Sequence, residues 1–560
     1  MGRRSSDLDL PAGRGAPYLC LVWKVGAAKA DITYFEPGIG LLGWGNSRHV
    51  AHTVESPLYA RAFAFETENE GPYFWIEVDL GMATVAVYQE AYRRLRMTFP
   101  ALEMAHLLIT ANHTHAAPAG YSYHLLYHIN TPGFHRGVFE KIVSGIVEAA
   151  QKAYQNRQPA EIFYAEEAFP PHVPIAFNRA MPAFLKNKGV DPRLSEHPEL
   201  CVDRTAYQIT IQPAGHLINW FGTHTTTIQE TSLFISSDHK GYAAERCEGS
   251  GRRVAAFAQT TAGDVTPNHY AFPGIRVRRG PTPNPIENRR LLGQYQADMA
   301  LHLTQRGEPL PPLLRSWHSW VDFSQVAVEE PYTRGWGRGR TGYGAIGPAM
   351  IGGTVEGGGI PPEAVRLISL LARLRGLTDP AIHGNKPILI DTVSKRIFGT
   401  RRWDTLPLPP ADPAVRYLQW IARQRGKYVP LPLIPQVLPV TTWQIGSLAL
   451  IALPFEPTTM AGRLIKERLM PLLTPLGIKH LIVQGYTNGY AGYLTTYEEY
   501  QYQRYEGGHT PFGKFQLAAV EKVLSELLTG TWQGVPPPLH LTPDEAEKVL
   551  FTYELARRLH

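Results

Sequence analysis

The sequence predicts an α/β fold in which central β-sheets, flanked by helices, form one large domain. Short apolar runs typical of buried strands alternate along the chain with longer amphipathic segments typical of helices. Hydrophobic residues make up 44% of the chain and charged residues 19%, which is the composition of a globular protein with a sizeable core. Several apolar runs end in polar turns rich in Gly and Pro, as strands do at the edge of a sheet. The interleaved order of the segments favours an α/β architecture.

Individual elements follow from the periodicity of the apolar residues. The predicted strands are residues 74–79, 104–110, 206–212, 217–221, 254–259, 448–453 and 481–483. The predicted helices are residues 85–99, 140–155, a segment from about 458 onward, and 515–528. The glycines of the Pro- and Gly-rich region 310–440 do not stand between a strand and a helix, so they do not indicate a phosphate-binding loop.

Three segments describe the domain organisation. Residues 1–24 read as a loose leader, residues 25–530 as one large domain, and residues 531–560 as a Pro-rich linker with a C-terminal helix. Thr542 is the expected N-cap of that helix, and Pro543 its first residue.

Composition excludes several classes of protein. The net charge of +6 comes from scattered arginines without aromatic interleaving, which argues against nucleic acid and leaves contact with an anionic lipid surface open. The three cysteines, Cys20, Cys201 and Cys247, cannot form a disulfide framework. No apolar run reaches the roughly 18 residues of a membrane span, and no signal peptide stands out. We therefore expect a soluble, cytoplasmic protein, with export left open.

The candidate metal-ligating and catalytic residues lie where apolar runs end. His113 and His115 follow one predicted strand and, at positions i and i+2 of extended chain, can face one point. His224 follows a second strand and Glu456 a third. Two histidines and a glutamate form the ligand set of a hydrolytic zinc site that keeps a position for water. Spacing alone does not show that these residues converge, and each could equally be a polar residue at a strand end.

Several motifs, in order along residues 25–528, resemble the neutral/alkaline ceramidase family. They are Asn112-His113-Thr114-His115, Ile175-Ala176-Phe177-Asn178-Arg179, Asn219-Trp220-Phe221-Gly222-Thr223-His224, Ser237-Asp238-His239-Lys240-Gly241-Tyr242, Gly263-Asp264-Val265-Thr266-Pro267-Asn268, Pro454-Phe455-Glu456-Pro457-Thr458-Thr459, Gly492-Tyr493-Leu494-Thr495-Thr496 and Gln503-Arg504-Tyr505-Glu506-Gly507.

The resemblance implies a zinc-dependent amidohydrolase that cleaves the N-acyl amide of ceramide into a fatty acid and a sphingoid base. Carried over by motif, the zinc ligands are His113, His224, Glu456 and Tyr493. The resemblance also puts His115, Arg179 and Tyr505 at the reaction centre, with roles in proton transfer and in stabilising the oxyanion. Two other roles stay open, because His115 could only orient a ligand and Arg179 could form an ordinary salt bridge.

The chain departs from the family pattern at a few positions. Ala116, Ala117 and Ala119 stand where the family has Ser or Gly, and Phe455 adds bulk beside Glu456. The segment after residue 528 is too short for the immunoglobulin-like domain that family members carry. A zinc amidase acting on a smaller N-acyl substrate and a metal-containing lipid-binding protein without turnover are the alternatives. Acyl-chain length, pH optimum and oligomeric state are not defined by the sequence.

Overall fold

Two mixed β-sheets form the centre of the molecule. The structure, a computed structural model, describes residues 22–128, 131–249, 251, 253–406 and 412–558. In spatial order the first sheet contains Ala255–Ala258, His216–Trp220, Thr205–Gln212, Gln158–Ala168, Trp23–Asp31, Tyr59–Glu66, Tyr73–Val78 and Leu107–Ala111, and Glu308–Leu310 pairs with Gln158–Ala168. Its inner pairs are antiparallel, and the last pair at each edge is parallel.

The second sheet is smaller and packs against the first. Its strands are, in spatial order, Leu314–Asp322, Val437–Ile445, Leu448–Ala452 and His480–Gln484, the last two being parallel. One core lies between the facing sides of the two sheets and contains Trp23, Trp75 and Trp220 from the first sheet and Trp443 from the second. Aromatic side chains from both sheets thus form one buried layer between them.

The first sheet is curled, so that its two ends approach each other. The rings of Trp75 and Trp220, which lie on strands near opposite edges, are only 5.5 Å apart. Both indole N–H groups donate to Oε1 of Gln484 on the second sheet, at 3.1 and 2.6 Å. This curl brings the ends of strands Leu107–Ala111 and His216–Trp220 to the same region of the molecule.

Helices cover the outer faces of the sheets. Arg136–Gln155 crosses strands Trp23–Asp31 and Tyr59–Glu66, with Val85–Thr98 beside it. Gly26 permits this approach, because a Cβ there would collide with the carbonyl oxygen of Ala153. The α-helices are Val85–Thr98, Arg136–Gln155, Met181–Phe184, Asp238–Glu248, Pro285–Leu303, Pro362–Leu374, Pro380–His383, Pro413–Arg423, Thr459–Leu473, Tyr497–Tyr502, Tyr505–Gly508, Gln516–Leu528, Pro543–Val549 and Tyr553–Arg557.

Short strands and 3₁₀ turns complete the fold. The short strands are Ile39–Leu42, Val50–Ala51, Thr53–Val54, Ala117–Pro118, Phe177–Asn178, Phe234–Ile235, Val265–Thr266, Ala327–Val328, Gly339–Arg340, Ala345–Ile346, Ile390–Asp391, Arg396–Ile397, Glu456–Pro457 and Tyr493–Leu494. The 3₁₀ turns are Met104–His106, Leu125–His128, Pro192–Glu196, Pro198–Leu200, Pro348–Gly352, Trp403–Thr405 and Thr474–Leu476.

The predicted α/β class is confirmed. Each predicted strand, and each predicted helix up to residue 528, is present, although most of them begin or end at a different residue. The predicted strand 104–110 begins only at Leu107, because Met104–His106 form a 3₁₀ turn. The predicted helix at 140 begins at Arg136, since Nδ1 of His135 accepts the N–H of Val138 and caps an earlier turn.

The domain begins at least two residues earlier than predicted. The leader was predicted to extend to residue 24, but Trp23 and Lys24 belong to the first strand, where Trp23 pairs with Ala160 and buries its ring. The rest of the predicted leader, residues 1–21, lies outside the described residues.

The C-terminal segment forms two short helices instead of the single predicted one. Thr542 caps the first through a capping box with Glu545, as the sequence indicates. The helix breaks because Phe551 accepts the N–H of Phe134, and Tyr553 donates its N–H to the carbonyl oxygen of Phe134. The buried side chains of this segment join the cores of the domain.

Among the described residues, we find no helix that is both long and apolar enough to span a bilayer.

Candidate metal centre

His113 follows strand Leu107–Ala111 at the point where the chain leaves the first sheet. Its backbone has φ of 70°, a conformation that is rare for a residue with a Cβ and recurs at functional sites. The N–H of His113 donates to the carbonyl oxygen of Leu80 at 3.0 Å, and Nδ1 contacts the carbonyl oxygen of Gly81. Since Nδ1 must carry the proton of that hydrogen bond, Nε2 is left as an electron-pair donor.

His224 is fixed in the same way after strand His216–Trp220. Its Nδ1 lies 2.7 Å from the carbonyl oxygen of Ala262 and 3.0 Å from that of Val265, so the lone pair of this ring is also on Nε2. The amide of Gln259 joins the two histidine loops by donating to the carbonyl oxygens of Asn112 and Thr223, at 3.0 and 2.7 Å. The two rings are 4.9 Å apart.

Glu456 and Tyr493 come from two short parallel strands and are directly paired with each other. Oε2 of Glu456 lies 3.3 Å from Nε2 of His224 and 3.6 Å from Nε2 of His113. The hydroxyl of Tyr493 is 3.4 Å from Nε2 of His224. The four predicted ligand residues are therefore neighbours in space, although 380 positions separate the first from the last.

Two further tyrosines hold Glu456 in place. Tyr486 donates its hydroxyl to Oε2 at 3.1 Å, and Tyr490 donates its hydroxyl to Oε1. Burial alone would raise the pKa of Glu456, but the neighbouring His113 and His224, together with Tyr490, hold it well below its usual value. The carboxylate is thus kept ionised, while burial lowers the pKa of the neighbouring His113 to about 4.

His115 lies beside His113, although the positive φ of His113 shows that the chain here is not the extended one on which the i, i+2 prediction rested. Its Nε2 is 3.1 Å from Nε2 of His113, and a ring nitrogen of each of His113, His115 and His224 lies within 4.8 Å of the others. The edge of Trp44 packs on the His115 ring at 5.0 Å. Nδ1 of His115 is buried without a hydrogen-bond partner among the described residues. Three imidazoles beside a buried carboxylate could hold a divalent metal ion.

The side chain of Arg179 donates four hydrogen bonds at the centre. Its Nη2 donates to the hydroxyl of Tyr493 at 2.9 Å and to the carbonyl oxygen of Gly263 at 3.0 Å. Its Nε donates to Glu506 at 3.0 Å and its Nη1 to Glu356 at 2.5 Å. The guanidinium therefore sits between two carboxylates and the tyrosine hydroxyl.

Tyr505 stands at the edge of the centre, as the first residue of helix Tyr505–Gly508. It is partly exposed, as is Arg179, whereas the four predicted metal ligands are buried. Its ring is 5.6 Å from that of Tyr493, and the guanidinium of Arg179 lies 5.8 Å from its centroid. The structure thus brings all seven predicted site residues together.

Sequence reasoning missed the carboxylates that hold Arg179. Glu356 accepts from Arg179, Thr226, Thr266 and Asn268, and against the effect of burial Arg179 keeps the pKa of Glu356 below its usual value. It stands in a Gly-rich loop without any periodic pattern, so no local signal marks it. Glu506 belongs to one of the motifs, but the sequence analysis gave it no role of its own.

The departures from the family pattern fit this geometry. The ring of Phe455 is buried and packs on Phe323 at 5.1 Å, among apolar core residues that also include Phe512. The sequence led us to expect the bulk of Phe455 beside Glu456. The ring instead adds its bulk to the apolar core. Gly120 remains where φ is 96° and a Cβ would lie 2.7 Å from the Cβ of His135.

Comparison with known proteins identifies close relatives. Residues 23–522 match the family described as neutral/alkaline non-lysosomal ceramidase, N-terminal. The neutral ceramidase of Pseudomonas aeruginosa is 30% identical over 531 residues, which cover 92% of this chain and 73% of that protein. The neutral ceramidase of Mycobacterium tuberculosis is 31% identical over 542 residues, which cover 93% of this chain and 78% of that protein.

The fold also matches solved structures. The crystal structure of the neutral ceramidase from Pseudomonas aeruginosa superposes with a TM-score of 0.73 at 28% identity, covering 93% of this chain and 77% of that one. A structure described as ceramidase complexed with C2 superposes with a TM-score of 0.75, also at 28% identity and with the same coverage.

Proposed function

The chain belongs to the neutral/alkaline non-lysosomal ceramidase family, and from this membership we propose that it hydrolyses the amide bond of ceramide at a zinc site. The observation that carries the proposal is the convergence of His113, His224, Glu456 and Tyr493, from distant parts of the chain, on one buried point. His115, Arg179 and Tyr505 surround the same point.

In this proposal Nε2 of His113 and of His224, a carboxylate oxygen of Glu456 and the hydroxyl oxygen of Tyr493 hold the metal. The donor set fits, because backbone carbonyls fix both imidazoles with Nε2 free, and Glu456 is ionised. A bound zinc ion supplies a Lewis acid that polarises the amide carbonyl and makes water a stronger nucleophile. Arg179 favours the ionised form of Tyr493 by placing a positive charge at its hydroxyl.

The reaction adds water across the amide. A bond forms between the water oxygen and the carbonyl carbon, the C–N bond breaks, and the proton lost by water passes to the leaving nitrogen. His115 is proposed to move that proton, since its Nε2 faces the centre and its Nδ1 has no partner among the described residues. The hydroxyl of Tyr505 is proposed to donate to the oxyanion as it forms. The products are a fatty acid and a sphingoid base.

Metal analysis combined with an activity assay tests the proposal. We expect one zinc ion per chain in the wild type and hydrolysis of a fluorescent short-chain ceramide. His224→Ala should lose both, because it removes one of the proposed metal ligands. His302→Ala, a change to an exposed histidine, serves as the matched control and should retain both.

Two outcomes contradict the proposal in different ways. A folded wild-type protein that retains no zinc after reconstitution would refute the metal assignment. Stoichiometric zinc without turnover of ceramide, but with turnover of a smaller N-acyl amide, would refute the substrate and retain the chemistry.

A further inference from the structure

Helix Pro362–Leu374 presents an apolar stripe to solvent. Leu367, Leu370, Leu371 and Leu374 follow the i, i+3, i+4, i+7 pattern of one helix face, and 56%, 52%, 39% and 75% of their respective surfaces are exposed. We call these four residues the leucine stripe. At the 1.5 Å rise of an α-helix the stripe is about 10 Å long. Single exposed apolar residues are common, but a contiguous stripe on one helix marks a contact surface.

The opposite face of this helix packs against the rest of the protein. Ala372 is buried, and Val365 lies over Gly352, where an added Cβ would stand 3.2 Å from a Val365 methyl group. The N–H of Ile360 donates to the carbonyl oxygen of Ile351 at 3.0 Å just before the helix. The orientation of the stripe toward solvent is therefore set by packing on the other side.

Arginines flank the leucine stripe. On a helical wheel Arg366 and Arg373 lie on one flank, and Arg375 lies on the other flank just beyond the last turn. All three are exposed, and Glu363 in the first turn is the acidic residue of this helix. An apolar face bordered by guanidinium groups matches the interface of a bilayer, where leucines enter the acyl region and arginines meet anionic headgroups.

The segment that leads into this helix also borders the candidate metal centre. Its Glu356 accepts from Arg179, and its Gly357 is so close to Trp44 that an added Cβ would lie 2.8 Å from the indole. Trp44 in turn packs on His115. Gly347 donates its N–H to Gly508, in the helix that begins with Tyr505, at 2.9 Å. The segment that carries the leucine stripe therefore begins with residues that contact the centre.

We propose that the leucine stripe is the surface by which this protein docks on an anionic lipid membrane. The choice of a lipid surface as partner rests on the proposed function, in which a membrane lipid is the substrate. Docking by the stripe places the centre at the surface from which such a substrate must be taken.

Co-sedimentation with vesicles of equimolar phosphatidylcholine and phosphatidylserine tests this surface directly. We expect the wild type to bind and the triple variant L367Q/L370Q/L374Q to bind roughly tenfold or more weakly, since three apolar side chains no longer enter the bilayer. Met97→Gln removes an equally exposed apolar side chain on helix Val85–Thr98 and should bind like the wild type. R366Q/R373Q should weaken binding to these vesicles and change binding to pure phosphatidylcholine little.

The triple variant also separates docking from catalysis. Its hydrolysis of short-chain ceramide in detergent micelles should equal that of the wild type, while its hydrolysis of long-chain ceramide embedded in the vesicles should fall in parallel with binding. Vesicle binding needs no turnover, so an inactive protein that binds through the stripe would refute the proposed function and support docking.

Two results would overturn the inference. One is vesicle binding that is absent in the wild type or equal in the triple variant. The other is a concentration-dependent dimer in sedimentation velocity that the triple variant abolishes without any change in vesicle binding, which would make the stripe a contact between two copies of this chain.

Discussion

The guanidinium of Arg179 donates to the hydroxyl of Tyr493 at 2.9 Å. Its other N–H groups are engaged by Glu356, Glu506 and the carbonyl oxygen of Gly263. A side chain with so many fixed partners has little freedom to follow a substrate. Burial raises the pKa of Tyr493, and the charge of Arg179 opposes that rise. We therefore interpret Arg179 as a positioning residue that acts through Tyr493, and not as a group that touches the substrate.

Arg179→Lys tests this interpretation, because lysine keeps the charge but cannot reach all four partners. We expect the zinc affinity and kcat to fall by about 10- to 100-fold, as when an outer partner of a metal ligand is removed, with KM nearly unchanged. Chelator competition measures the first quantity and steady-state kinetics the second. Arg463→Lys, in an exposed ion pair with Glu467, is the matched control. A variant in which KM alone rises would instead indicate direct substrate contact.

The role of His115 is decided by comparing it with His224. Because Nε2 of His115 is only 3.1 Å from Nε2 of His113, either metal binding or proton transfer is geometrically open to it. For proton transfer we expect His115→Gln to retain zinc and to lose about 10²- to 10⁴-fold in kcat. His224→Gln should lose the zinc itself. Elemental analysis of both purified variants beside the kinetics is the measurement, and loss of zinc from His115→Gln would make His115 a ligand.

Gln484 should be a major determinant of stability, although it lies in an apolar layer. Its Oε1 accepts from the indoles of Trp75 and Trp220, and its Nε2 donates to Thr487 at 2.8 Å. Gln484→Met leaves two buried indole N–H groups without a partner, so we expect the free energy of unfolding to fall by about 3 kcal/mol. Urea unfolding followed by tryptophan fluorescence measures this change.

The exposed Gln305→Met is the control for that substitution, and its free energy of unfolding should stay within about 0.5 kcal/mol of the wild type. A similarly small effect of Gln484→Met would show that water or local repacking satisfies both indoles.

The strands and helices of the sheets could be predicted because apolar periodicity reports which face each element buries. The N-cap of the first C-terminal helix could also be predicted, and Thr542 acts as that N-cap, as its place before Pro543 indicates. The segment 362–374 was hidden within a region that composition marked as loops. Its helix exposes its leucines, so the usual relation between apolar residues and burial fails there.

Convergence of the site could not be derived from spacing. His113 and His224 follow strands near opposite edges of the first sheet, and only its curl, visible in the contact of Trp75 with Trp220, brings them together. Resemblance to a family supplied the set of seven residues, while the motifs gave no indication of Glu356. That residue acts through Arg179 from a loop whose sequence carries no pattern of its own.

His216 makes part of the stability depend on pH. Burial, and then the charge of Arg253, lowers its pKa from 6.5 to about 4. Its Nδ1 accepts the N–H of Val254 at 3.0 Å, so the folded state favours the neutral ring. Between pH 6.5 and 4 the unfolded chain binds a proton that the folded chain does not, and stability is therefore lost as the pH falls through that window.

His216→Asn removes this titration while its Oδ1 can still accept from Val254, because asparagine mimics the position of Nδ1. We expect the loss of unfolding free energy between pH 7 and pH 5 to shrink by about 2 kcal/mol relative to the wild type. Urea unfolding at fixed ionic strength measures the difference at both pH values. Gln305→Met changes no titratable group and should keep the wild-type difference. An unchanged difference in His216→Asn would mean that the folded state accepts a protonated ring at this position as readily as the unfolded chain does.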